Sequence, residues 1–143
     1  AYSHIAHDST LGDHIIFANG ASLAGHVDVG DYAILGGFTL VHQFCRVGRH
    51  SLMGIGTVCL QDVAPYLIVA GNPAKTYGLN VRGLRRRGFS EDVIMELREI
   101  YRRKFRGKAG QGPQDPGARA HPSSPEAVDL LEFLSQSERG VVR

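Results

Sequence analysis

LAGHVDVGDYAILGGFTLVHQFCRVGRHSLMG, residues 23–54, repeats itself every six positions. Leu23, Val29, Leu35, Val41, Val47 and Met53 carry the beat, and a small residue follows all of them but Val41. Outward, the beat runs back through Phe17, Leu11 and Ile5 and forward to Cys59. Ala18, Gly12 and Ala6 again follow it, and Leu60 joins His42 as an exception. A period of six fits neither an amphipathic helix, with about 3.6 residues per turn, nor the alternation of a simple strand. It fits a hexapeptide solenoid, one short strand and one tight corner per repeat. The fold class expected is a left-handed parallel β-helix followed by a C-terminal α-helical cap. Three repeats close one coil, so residues 18 apart in sequence lie above one another.

The length of 143 residues suits one domain with an appendage. The β-helix is expected over 1–74, where Ala70-Gly71-Asn72-Pro73 breaks the pattern, and a basic helical domain over 75–143. Many of the 18 glycines fall at repeat corners, where positive φ is anticipated. Net charge is only +2 but lopsided: residues 1–70 hold two basic residues against five acids, and the remainder fourteen against nine. A basic C-terminal half suggests an acidic partner; the alternative is a solvated helix surface. Nucleic acid is not expected, because no aromatics interleave the basic residues and no recognition module is present. No apolar run approaches the roughly 20 residues of a membrane span. Cys45 and Cys59 lack CxxC spacing and fall on inward positions, so they read as free thiols in a reducing, cytoplasmic setting. The chain starts inside a repeat without an initiator Met, which reads as truncation at the N-terminus.

Within the C-terminal half, 75–89 reads as a basic loop with a short helix near Arg82–Arg87. Ser90 is a helix N-cap with Glu91 and Asp92 in the first turn, opening a helix over 90–106. Residues 107–123 are Gly/Pro-rich and read as a linker. Ser124-Pro125-Glu126 starts a last helix that ends near Gly140.

The 18-residue register gathers His7, Asp8, Gly25, His26, His42 and Gln43 on one corner over three coils, with His4 on the same edge. His7 beside a carboxylate suits a general base that takes a proton from an attacking hydroxyl. The Gly25 N–H, one coil away, suits an oxyanion that develops there. Adjacent residues on a strand point oppositely, which leaves open whether Asp8 orients His7. A three-histidine zinc site would draw on His14 and His50, but position 55 is Ile, so no metal is expected.

The blocks HIAHDST (4–10), LAGHV (23–27), GGFTLVHQFC (36–45), QDVAPYLIVAGNPA (61–74), LRRRGFS (84–90) and RGVVR (139–143) together resemble the bacterial UDP-N-acetylglucosamine O-acyltransferase family, in its C-terminal portion. The resemblance implies transfer of a 3-hydroxyacyl chain from acyl carrier protein to the 3-hydroxyl of UDP-N-acetylglucosamine, the first step of lipid A biosynthesis. It implies a homotrimer with clefts between subunits, and no cofactor beyond the carrier's phosphopantetheine arm. By the same resemblance His7 is the general base and Gly25 the oxyanion amide. Asp8, His4, His26, His42 and Gln43 line the cleft. Asn80 and Arg86, with Arg87 close by, meet the nucleotide diphosphate. Ile55 stands at the acyl-length ruler, where Gly leaves room for long chains, and so predicts a shorter donor. Alternatively, Ile55 packs between coils. Arg82 departs from the family pattern, where an acid can stand. Two other readings are a related UDP-sugar N-acyltransferase of the same pathway and a non-catalytic hexapeptide-repeat scaffold.

Overall fold

The computed structural model describes residues 1–106 and 122–143. Most of the 107–123 segment expected to be a linker lies outside the described residues. Ten two-residue strands follow the beat: β1 (His4–Ile5), β2 (Thr10–Leu11), β3 (Ile16–Phe17), β4 (Ser22–Leu23), β5 (Asp28–Val29), β6 (Ile34–Leu35), β7 (Leu40–Val41), β8 (Arg46–Val47), β9 (Leu52–Met53) and β10 (Val58–Cys59). They sort into three parallel sheets. The first runs β1-β4-β7-β10 and the second β2-β5-β8. The third runs β3-β6-β9 and gains β11 (Leu67–Ala70) and β12 (Lys75–Leu79). Pairs such as His4↔Ser22, Thr10↔Asp28 and Ile16↔Ile34 set the 18-residue register of a left-handed parallel β-helix.

Each hexad turns two side chains inward. One is the beat residue: Leu23, Leu35, Val47, Met53 and Cys59 are buried. The other is the first residue after each corner: Ala21, Val27, Ala33, Thr39, Cys45, Ser51, Thr57 and Val63. The hydroxyls among them are satisfied locally, Ser51 Oγ donating to Gly48 O at 2.7 Å and Thr57 Oγ1 to Gly54 O at 2.5 Å. A buried hydroxyl without such a partner would be costly.

The corners differ from the sequence expectation. Positive φ falls mainly on non-glycine residues: Asp8, His14, His26, Tyr32, Phe38, Phe44 and His50 lie between 55° and 63°. Each is the third residue of a four-residue turn, closed at Tyr32 by Ala33 N to Gly30 O, 3.4 Å, and at Phe38 by Thr39 N to Gly36 O, 3.2 Å. The strain is offset by stacking, because rings at this position sit one coil apart, close to the spacing of about 4.8 Å between paired strands. His14, Tyr32 and His50 stack in succession at 4.7 and 4.9 Å, and His26 stacks on Phe44 at 4.7 Å. The beat-following glycines serve space instead: a Cβ on Gly48 would stand 2.3 Å from Pro65 N.

The last coil is two residues short. The register falls from Cys59↔Val41 to Val63↔Val47. The Asp62 carboxylate fills the gap, accepting Arg46 N–H at 2.7 Å and Ser137 Oγ–H at 2.7 Å. Residues 75–79, expected as loop, form β12, which folds back antiparallel on β11. Three helices follow. Helix α1 (Val81–Arg86) is capped by Asn80, and α2 (Glu91–Tyr101) by Ser90 and continued by a π-helical turn over Arg102–Arg106. Helix α3 (Pro125–Gln136) is capped by Ser124 and stops four residues before Gly140, the end expected from sequence. The stretch after it turns back, and Val141 bridges to Asp62. Ile94, Leu97, Ile100, Leu130 and Phe133 join Tyr66, Leu67 and Leu79 in a second core. No helix among the described residues is long and apolar enough to cross a membrane.

Candidate functional site

The corner joining the first and second sheets carries the histidine cluster. His7 and Asp8 occupy its turn rather than a strand, and the positive φ of Asp8 brings both side chains outward together. His7 Nδ1 lies 3.0 Å from Asp8 Oδ2. His26 Nε2 approaches the same oxygen at 3.7 Å, and the His7 and His26 rings meet edge to face at 5.2 Å. The hydrogen bond from His7, and then the nearby charge of His26, hold the Asp8 carboxyl below the usual carboxylate range. The carboxylate fixes the Nδ1–H tautomer, so Nε2 of His7 is left as the free basic atom.

Gly25 lies directly beneath the His7 ring. A Cβ there would stand 2.8 Å from His7 Cε1 and 2.9 Å from Nε2. Its flanking amides are taken up by the coils on either side, Ala24 N to Val41 O and His26 N to His7 O. The Gly25 N–H, at the second position of its turn, has no acceptor among the described residues. A basic ring nitrogen and an unpaired amide thus share one small space.

The outer face of the first sheet leads away from this corner. His4 pairs with Ser22 in register, above Leu40 and Val58. Ser22, Ala24, Leu40, His42, Val58 and Leu60 line a groove of about 330 Å³ on that face. Leu40 and Leu60 are about half exposed. Gln43 takes the corner position on the other side of Gly25 from His7, and its carbonyl accepts from Arg139 at 2.9 Å. Ile55 lies at the opposite corner of the same sheet, 84% exposed, and so does not pack between coils.

Asn80, Arg86 and Arg87 are not brought to the His7 corner. They sit by the corner joining the second and third sheets. Asn80 is buried, its Nδ2 donating to His50 O at 3.2 Å and its Oδ1 accepting from Gly83 N at 3.3 Å. Arg86 is exposed. Arg87 donates to His50 Nδ1 at 3.3 Å and lies over the Tyr32 ring, 5.4 Å from its centre. Burial, reinforced by Arg87 and Arg49, pushes His50 down to about 4. Arg82 is exposed on α1.

His14 and His50, the pair considered for zinc, are separated by the Tyr32 ring stacked between them. Among the described residues, the donors that do converge are those of His7, Asp8 and His26, all within 4.8 Å. Histidine spacing alone misses this set, because Asp8 supplies its central atom. Neither thiol is a nucleophile at neutral pH, since burial pushes Cys45 up to about 11 and Cys59 to about 12.

A family model described as UDP N-acetylglucosamine O-acyltransferase, domain 2, matches residues 62–142. The acyl-[acyl-carrier-protein]--UDP-N-acetylglucosamine O-acyltransferase of Thiobacillus denitrificans is 48% identical over all of this chain. That of Pseudomonas syringae is 46% identical. The chain spans 56% of the length of each of these curated relatives. Among solved structures, LpxA from Acinetobacter baumannii superposes with a TM-score of 0.88 at 44% identity, covering 99% of this chain and 55% of that one. The UDP-N-acetylglucosamine acyltransferase from Arabidopsis gives 0.85 at 37%, covering 99% and 53%.

Proposed function

The chain belongs to the UDP N-acetylglucosamine O-acyltransferase family, and from that premise we propose that it transfers a 3-hydroxyacyl chain from acyl carrier protein to the 3-hydroxyl of UDP-N-acetylglucosamine, the first step of lipid A biosynthesis. The observation that carries the reading is the His7–Asp8 pair lying over Gly25 at the mouth of the apolar groove.

The step follows from these atoms. His7 Nε2 accepts the sugar hydroxyl proton as the oxygen attacks the thioester carbonyl. Asp8 steadies the imidazolium that forms, through its bond to Nδ1. Negative charge gathers on the carbonyl oxygen, and the Gly25 N–H donates to it. Collapse of the tetrahedral intermediate releases the carrier thiolate, which takes the proton from His7. Direct transfer is supported by the absence of a reactive thiol among the described residues. The reaction draws on no metal or organic cofactor beyond the carrier's own phosphopantetheine arm.

The acyl chain lies along the groove of the first sheet, with Ile55 near its far end. The nucleotide-binding arginines belong to a different corner from His7. A complete cleft therefore combines His4, His7, His26, His42 and Gln43 of one copy with Arg86 and Arg87 of another, as a homotrimer with sites between subunits provides. Asn80 serves by capping the helix that carries those arginines. The reading places the reaction in the cytoplasm.

The test is an assay with 3-hydroxyacyl carrier protein and UDP-N-acetylglucosamine. His7→Ala is expected to lower kcat by about 10²–10⁴ with folding retained. Undiminished turnover would remove His7 from its role, and no turnover by the parent chain with a 3-hydroxyl acceptor would remove the reaction itself.

A further inference from the structure

Tyr32 and His50 lie on the corner opposite the groove, and the acyl-transfer step makes no use of them. Their rings stack at 4.9 Å, 8° from parallel, between His14 below and Tyr66 above. Arg87 closes the side of this ladder. Its backbone is the C-cap of α1, with its N–H bonded to Gly83 O and Leu84 O. Its guanidinium has two holds: a hydrogen bond to His50 Nδ1 and the face of Tyr32. Phe89 packs edge-on against His50, and Asn80 donates to His50 O, so the segment around Arg87 is pinned to the same ring.

We infer that Tyr32 and His50 are positioning residues that aim the Arg87 guanidinium at the nucleotide phosphates. The inference rests on the proposed nucleotide role of Arg87. A free arginine side chain samples many rotamers, and presenting its planar fork to phosphate oxygens requires one of them. The ladder selects that one. His50 can accept from Arg87 only as the neutral ring with Nδ1 unprotonated. Burial and the neighbouring Arg49 and Arg87 keep it neutral, against a weaker pull from Asp31.

Both residues have φ near +60°, so asparagine is the substitution that keeps the backbone comfortable. Tyr32→Asn removes the ring, and Tyr32→Phe keeps the face. His50→Asn keeps an acceptor near Nδ1, and His50→Ala removes it. Two readouts are taken on the chain: the Arg87 Nε–H resonance by NMR, and steady-state kinetics with UDP-N-acetylglucosamine. Tyr32→Asn and His50→Ala are expected to shift and broaden the Arg87 signal. They raise KM for the nucleotide sugar by about 3- to 30-fold, with kcat held within about twofold. Tyr32→Phe and His50→Asn retain most of the parent behaviour. An unaltered Arg87 resonance in Tyr32→Asn and His50→Ala overturns the positioning role even if Arg87→Ala raises KM. If Arg87→Ala leaves KM unchanged while the resonance responds as expected, the premise about the nucleotide fails and takes the inference with it.

Discussion

Gly25 is a glycine for want of room rather than for want of a turn. Its φ is ordinary, yet any side chain there meets the His7 ring at 2.8 Å, well inside van der Waals contact. Gly25→Ala is therefore expected to keep the fold and displace the imidazole, lowering kcat on the order of 10²-fold, as a misplacement of about 1 Å does. Comparing kcat with the melting temperature checks it, since a fall in stability of matching size would assign the effect to the coil. Ile55 poses the converse question. Its side chain stands almost free at the far corner from His7, where the proposed function has it limit the length of the acyl chain. Ile55→Gly is expected to move the preferred donor toward longer hydroxyacyl chains, read from rates with a ladder of carrier thioesters. At this scale the sequence was legible in part. The period placed His7, Gly25 and His26 together without coordinates. The His7–Asp8 bond was not readable, because it depends on Asp8 adopting positive φ, and strand alternation argues the opposite.

Among the elements, the β-helix was the most readable, because two inward residues per hexad leave a strong mark on the chain. Strand β12 was not: Lys75-Thr76-Tyr77-Gly78-Leu79 has a charge, a glycine and alternating exposure, the composition of an edge strand and of a loop alike. The return of Gly140–Val142 to the solenoid was also hidden, since it rests on residues far away in sequence, Asp62 and Thr76 among them. Asp62 is buried and joins the shortened coil, at Arg46, to the end of α3, at Ser137. Asp62→Ala leaves the Arg46 amide and the Ser137 hydroxyl without their acceptor. It is expected to cost about 1–3 kcal/mol and to free the C-terminal segment first. Urea unfolding together with hydrogen exchange at Val141 and Val142 checks this, and uniform loosening of every coil would contradict it.

At the scale of the whole molecule, the β-helix and the helical cap meet through the ring column that ends at His50, Tyr66 and Phe89. That column carries an acid sensitivity. His50 binds its proton at about pH 4 in the fold and near pH 6.5 when unfolded. The unfolded chain therefore takes up the proton first as pH falls, and stability declines from about pH 6.5 downward, by about 2 kcal/mol at pH 5. Asp8, Glu91 and Glu96, whose carboxyls lie below their ordinary range, lose their contribution only at lower pH. Denaturant midpoints at pH 7 and pH 5 should converge in His50→Asn; an identical decline in that variant would show that another group is responsible. Because each face of the solenoid recurs only after three hexads, the chain cannot be lengthened by arbitrary steps without scrambling its chemistry. An insertion of six residues would rotate every downstream side chain onto the neighbouring face, parting the imidazoles from their groove. A whole added storey of 18 would leave all faces aligned and simply lift the helical cap by about 4.8 Å, so this architecture tolerates growth in complete circuits and resists it in fractions.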